Sequence, residues 1–202
     1  MQTTVGAGPI GTDPVRYEFD APERVANWRP LVHWLLAIPH LIVLNVVNLV
    51  ANVVWFISFF TVLFTKQIPE GLFNWQVFAL RYQHRVGTYS AFMREPYPAF
   101  DFTVTREDPG GDPFRLSIDR PDEVNRWLPL IKWLLAVPHY IVLAIYAIGA
   151  VFALIAAFFV VLFTGKYPLG IRDYLVKVGR YSTRIQAYIM FLRDEYPSFS
   201  LS

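Results

Sequence analysis

His40 and His139 stand at the ends of two nearly identical heptapeptides, WLLAIPH and WLLAVPH, each directly after a proline and inside apolar sequence. An imidazole so placed is a candidate axial ligand, and two related ones could hold a haem iron or a chlorin magnesium. The competing role is structural, each ring donating to a backbone carbonyl that the neighbouring proline has left without its helical partner. A second set comprises Arg81, Arg85, Arg180 and Arg184 with Tyr82, Tyr89, Tyr181 and Tyr188. Guanidinium forks suit the paired oxygens of an anionic lipid phosphate, and tyrosine suits headgroup depth. Snorkelling and an aromatic belt would employ the same side chains without a ligand. A third set, Asn45, Asn48 and Asn52, lies at i, i+3 and i+7, so one helix face carries three amides. Such a stripe either makes interhelical hydrogen bonds to a partner or to the other repeat, or lines a water path.

Groupings that do covalent chemistry are missing from the sequence. There is no cysteine, which removes disulfides, thiolate metal sites and cysteine nucleophiles together. Paired carboxylates, His-rich metal spacings, glycine-rich phosphate loops and nucleophile elbows do not occur, so no enzyme is expected. A formal net charge of +2 gives no footprint for nucleic acid. Hydrophobic residues make up 54% of the 202, aromatic residues 17%, and mean hydropathy is +0.35, which places the chain in the membrane class.

The elements that must position these residues come in two copies. At an offset of 99, residues 16–102 align with 115–201 without a gap: Asp20, Trp28, Pro30, Arg81, Arg85 and Tyr97 recur as Asp119, Trp127, Pro129, Arg180, Arg184 and Tyr196. The domain reading is a polar tail (1–15), a membrane repeat (16–102), a turn linker (103–113) and a second repeat (114–202). Each repeat is expected to run from a short strand through a helix start at Asp20 or Asp119, a long apolar segment and a charged amphipathic helix to a closing strand. The Pro, Gly and Asp of the linker predict a β-hairpin joining the copies.

Residues 31–64 and 130–163 contain no Asp, Glu or Arg, and are longer than the roughly 20 residues that cross a bilayer as one helix. An elbow before Pro39 or Pro138 followed by one tilted helix is one solution; a helical hairpin is the other, and the one favoured here. A single crossing per repeat would split the 18 Lys and Arg evenly between the two sides, whereas a hairpin keeps them on one. Lys177, Arg180 and Arg184 share one face of the following helix, which predicts that it lies in the interface. No basic region followed by an apolar one precedes residue 30, so the first hydrophobic segment is expected to direct targeting.

The second repeat resembles a bacterial, largely actinobacterial, family of membrane proteins defined as a domain of unknown function. Its pattern RPxxxxRWLPLxKWLLAxPHxIVL is met by 120–143, LFTGxYPxGxxD by 162–173, R-aromatic-x-x-R with a later Tyr by 180–188, and YPxFSL by 196–201. The first repeat departs at Ala21, Arg29, His33, Lys66 and Ile68, so roles of the corresponding second-copy side chains need not be shared. The resemblance implies membrane location and tandem duplication, and brings no activity. The combined expectation is an all-α integral membrane protein with short strands at the repeat ends, multi-pass in the bacterial inner membrane, termini cytoplasmic. Its expected role is that of a non-catalytic accessory or scaffold subunit among other integral membrane proteins, in contact with anionic lipid, its N-terminal tail packed on a partner. A membrane-shaping hairpin protein, a small transporter and a haem- or chlorin-bearing subunit are the rival readings.

Overall fold

The structure, a computed structural model, describes residues 3–5, 14–22 and 24–201. Two short strands, β1 (Thr3–Val5) and β2 (Val15–Ala21), precede α1 (Arg29–Leu36), α2 (Ile38–Thr65) and α3 (Glu70–Ser90). The second copy repeats the order with β3 (Phe114–Ile118), α4 (Leu128–Leu135), α5 (Val137–Thr164) and α6 (Leu169–Ile189).

Helices start later than Asp20 and Asp119, which instead belong to the strand region. Arg115 takes Asp20 and Arg16 takes Asp119 as ion-pair partners. Pro30 and Pro129 set the true starts, because proline at the first positions of a helix supplies the right φ and forgoes an N–H that has no acceptor there. The favoured helical hairpin does not form. Each apolar segment bends once, at Ala37 or Ala136 ahead of the proline, and then runs 28 residues unbroken. Nothing in 41–64 supplies a turn, and Gly149 alone does not break α5; each helix ends only where Lys66 or Gly165 turns left-handed, at φ 60° and 63°.

The hairpin expected across the linker also gives way. The segment before the linker makes no strand; β3 pairs instead with β2, antiparallel, Tyr17 opposite Leu116, while β1 flanks β2. The carbonyls of Thr105 and Glu107 are taken by the Arg81 guanidinium, and the Asp108 carboxylate accepts from the Leu116 N–H, so this stretch lies along β3 through side chains. Gly110 and Gly111, at φ 81° and 80°, do form the turn. The sheet alternates as a half-buried sheet should. Val15, Tyr17, Phe19, Phe114, Leu116 and Ile118 face inward, while Arg16, Glu18, Arg115 and Ser117 face out.

Contacts between the copies are reciprocal under the same offset. The Val25 N–H donates to Gly165 O at 3.1 Å and that of Val124 to Lys66 O at 2.9 Å. Arg81 donates to Leu116 O at 3.0 Å and Arg180 to Tyr17 O at 3.4 Å. A pseudo-twofold axis therefore passes through the Tyr17–Leu116 pair, normal to the sheet, and on between His84 of α3 and Thr183 of α6, which touch at 2.8 Å. Contacts from His40–Tyr82 to Ser58–Gln76 show α2 running antiparallel along α3. The result is layered: the sheet, then α3 and α6 crossed by the axis near their middles, then α2 and α5 with the short helices α1 and α4. The amphipathic helices thus form the middle layer, one face against the sheet and the other against the apolar helices. Of the N-terminal tail, β1 pairs with the chain's own sheet, Val15 opens β2, and residues 1, 2 and 6–13 lie outside the described residues.

Candidate functional site

His40 and His139 are enclosed separately. His40 Nδ1 meets the Tyr82 hydroxyl at 2.7 Å and its ring stacks on Phe100 at 4.1 Å; His139 repeats this with Tyr181 at 2.8 Å and Phe199 at 4.1 Å. Both rings have no exposed surface, and every contact comes from the residue's own repeat. The two rings lie in separate enclosures, each walled by Tyr and Phe of its own repeat. Each ring meets a tyrosine hydroxyl at Nδ1, where the sequence suggested a backbone carbonyl freed by the proline.

The arginine set is likewise turned inward. Arg81 spends its guanidinium on Leu116 O, Thr105 O and Glu107 O and meets Asp108 at 3.2 Å. Arg85 pairs with Asp101 at 3.1 Å and Asp108 at 3.2 Å, and Arg94 with Asp112 at 2.5 Å. These buried cations are compensated by Asp101 and the linker carboxylates Asp108 and Asp112, and an outside phosphate would have to displace them. In the second copy Arg184 reaches Ser198 Oγ and Ser200 O, and Arg180 the Tyr17 carbonyl. Tyr82 and Tyr181 are committed to the histidines. Guanidinium here fastens the linker and closing segments to α3 and α6.

Corresponding positions need not share chemistry, as His33 and Lys132 show. His33 stacks on Tyr89 at 4.1 Å and its Nδ1 lies 3.0 Å from Tyr89 O. Lys132 lies 4.6 Å above the Tyr188 ring and pairs with Asp194 at 2.9 Å. Burial lowers the pKa of both groups, opposed at Lys132 by Asp194.

The Asn stripe divides. Asn45 bonds back to Leu41 O within its own helix. Asn48 and Asn52 open instead on a cleft of about 490 Å³ bounded by Ala79, Leu80 and Gln83 of α3, Gln186, Ile189 and Met190 of α6, and Tyr140 of α5. Sequence reasoning found the two asparagines and missed Gln83, Gln186 and Tyr140, whose only signal was that the opposite copy has Ser182, Gly87 and Leu41 in their places. It missed the His84–Thr183 contact too, although a residue meeting its own counterpart marks the axis.

The largest feature is the outer face of α1, α2, α4 and α5. Trp34 is 62% and Trp133 65% exposed, Phe64 72% and Phe163 76%, with Ile42, Leu49, Phe56, Ile145, Phe152 and Phe159 exposed between them. Two helices here are long and apolar enough to cross a membrane. No group of three or more metal-ligating side chains occurs among the described residues.

The family model described as Domain of unknown function (DUF4389) matches residues 27–101 and again 127–200. The chain belongs to that family and carries its domain twice. No curated protein and no solved structure matches the chain.

Proposed function

We propose that this two-domain member of the family is a non-catalytic membrane scaffold that lies flat in one leaflet, its apolar helix layer in the hydrocarbon and its sheet in water. The observation that carries the reading is where the sheet sits. It covers the middles of α3 and α6, with Arg81 and His84 reaching it from well inside α3, and α2 runs alongside α3. Standing α2 across a bilayer would take Arg16, Glu18, Asp20, Arg115 and Asp119 to hydrocarbon depth, where an Arg or Asp costs about 2.5–3.5 kcal/mol. Lying flat keeps all of them in water and still buries the apolar face. Trp28, Trp34, Trp127 and Trp133 are exposed at the borders of that face, the place tryptophan takes between hydrocarbon and headgroups. Lys66 and Lys166 mark its two ends, suited to anionic headgroups in a way that the inward-turned Arg81 and Arg85 are not. All 18 Lys and Arg then share one side, cytoplasmic by the positive-inside rule, and other integral membrane proteins meet the scaffold along its rim.

The chain has no cysteine of its own, so single cysteines report sidedness cleanly. Gln67 follows the C-terminal end of α2, and Pro96 lies near its N-terminal end, where Tyr97 reaches Leu36 O. With Gln67→Cys and Pro96→Cys in sealed vesicles, an impermeant thiol reagent is expected to label both from the same side and to leave Ile148→Cys unlabelled. Labelling of the two from opposite sides would establish a crossing and overturn the reading.

A further inference from the structure

We infer that the cleft beside Asn48 and Asn52 is a binding site for an uncharged, hydroxyl-bearing lipid head, entered from the hydrocarbon. The inference rests on the membrane seating proposed above. Asn48, Asn52, Gln83, Gln186 and Tyr140 bring four amides and a phenol to one cleft, with Trp55, Leu80, Ile189 and Met190 as its apolar walls. A volume of about 490 Å³ lies within the range of sites that hold small molecules.

The polar groups await partners. Among the described residues, the side chains of Asn48, Asn52 and Gln83 make no hydrogen bond, while Gln186 donates to Ser182 Oγ and keeps its carbonyl oxygen. Amides facing hydrocarbon require a partner, and whereas Asn45 turns back to Leu41 O of its own helix, Asn48 and Asn52 bond neither to the α2 backbone nor to a neighbouring side chain. The chemistry of the lining selects the ligand. Amides and phenol both donate and accept, which matches a hydroxyl or an ester oxygen. None of the lining residues is ionisable near neutral pH, so a phosphate would enter without a compensating charge.

The second repeat makes no counterpart. Its equivalent positions hold Ala147, Val151 and Ser182, with Leu41 in place of Tyr140 and Gly87 in place of Gln186. The axis therefore relates one polar cleft to an apolar surface, and a single ligand per chain follows.

The test uses the full chain in phosphatidylcholine vesicles with a photoreactive, clickable diacylglycerol, and separately with a phosphatidylglycerol carrying the same photoreactive chain. Diacylglycerol adducts are expected to concentrate on the peptides containing 48–55 and 186–190, and to fall several-fold in Asn48→Leu with Asn52→Leu. Gln83→Leu alone should lower them too, while Ala147→Leu in the opposite repeat leaves them unchanged. Adducts spread evenly along α2 and α5, equal enrichment with phosphatidylglycerol, or labelling indifferent to the Asn substitutions would overturn the inference. Flotation with the vesicles separates the two readings: a chain that floats but labels evenly lacks the lipid site, whereas one that does not float lacks the membrane seating itself.

Discussion

His84 and Thr183 occupy the same place in the two repeats and bond to each other across the axis, so the same contact is made once rather than twice. The Thr183 hydroxyl donates to Gly179 O, which leaves its oxygen to accept from His84 Nε2 and so places a ring proton on that nitrogen. Packed by Tyr17 at 5.2 Å and Phe114 at 5.5 Å, the ring is desolvated and its pKa is pushed down to about 4. The unfolded chain, with an imidazole near 6.5, binds this proton first. Stability from this site is therefore complete above pH 6.5 and declines as pH falls from there towards 4, by up to about 3 kcal/mol. His84→Gln, which can still donate to Thr183, should flatten that slope in denaturant titrations across this window; an unchanged slope would place the acid sensitivity elsewhere. Residue types at this scale were legible, and their directions were not. Arginine at 81 and 85 suggested phosphate because a helical reading cannot see that Asp101 at the end of the repeat and Asp108 and Asp112 of the linker fold back over the same helix face.

Lys66 and Gly165 end α2 and α5 in the same left-handed conformation, one with a side chain and one without. A non-glycine residue there carries a steric cost of roughly 1 kcal/mol, so Lys66→Gly is expected to stabilise the chain by up to that amount. Gly165→Ala should cost more, because its Cβ would also run into the Asn27 side chain and lie 3.5 Å from the Val25 carbonyl oxygen, at the seam where the copies join. Equilibrium unfolding of both variants in mild detergent checks the opposite signs; a loss of stability in Lys66→Gly would mean that the side chain matters more than the strain. Elements were read with uneven success for a physical reason. The offset of 99, the long apolar segments and the amphipathic helices follow from composition and period. Elbow against hairpin turned on the absence of any breaker between the proline and the left-handed cap, a local fact present in the sequence. Strand pairing did not, since β2 and β3 are joined through the symmetry of the whole fold and not by the loop that precedes β3.

At the scale of the molecule, the two repeats build a slab with unlike faces: ion pairs Arg16–Asp119 and Arg115–Asp20 on one, exposed Ile, Phe and Trp on the other. A layer of helices about 10 Å thick, set into a single leaflet, adds area to that leaflet and none to its partner. Because α2 and α5 are each about 42 Å long and the proposed seating sets their symmetry axis along the bilayer normal, the added area would be elongated rather than round. Expansion of one leaflet relieves packing stress where the membrane already curves towards the protein, so affinity should rise as vesicle diameter falls. At high surface density the same wedge should draw tubules from large liposomes. Co-flotation with size-graded vesicles, followed by electron microscopy at saturating coverage, measures both effects. Equal binding to all sizes with liposomes left spherical would mean that the apolar face is covered by a second protein instead of by lipid. Light scattering on the detergent-free protein would then find an assembly with the α2 and α5 faces closed against it.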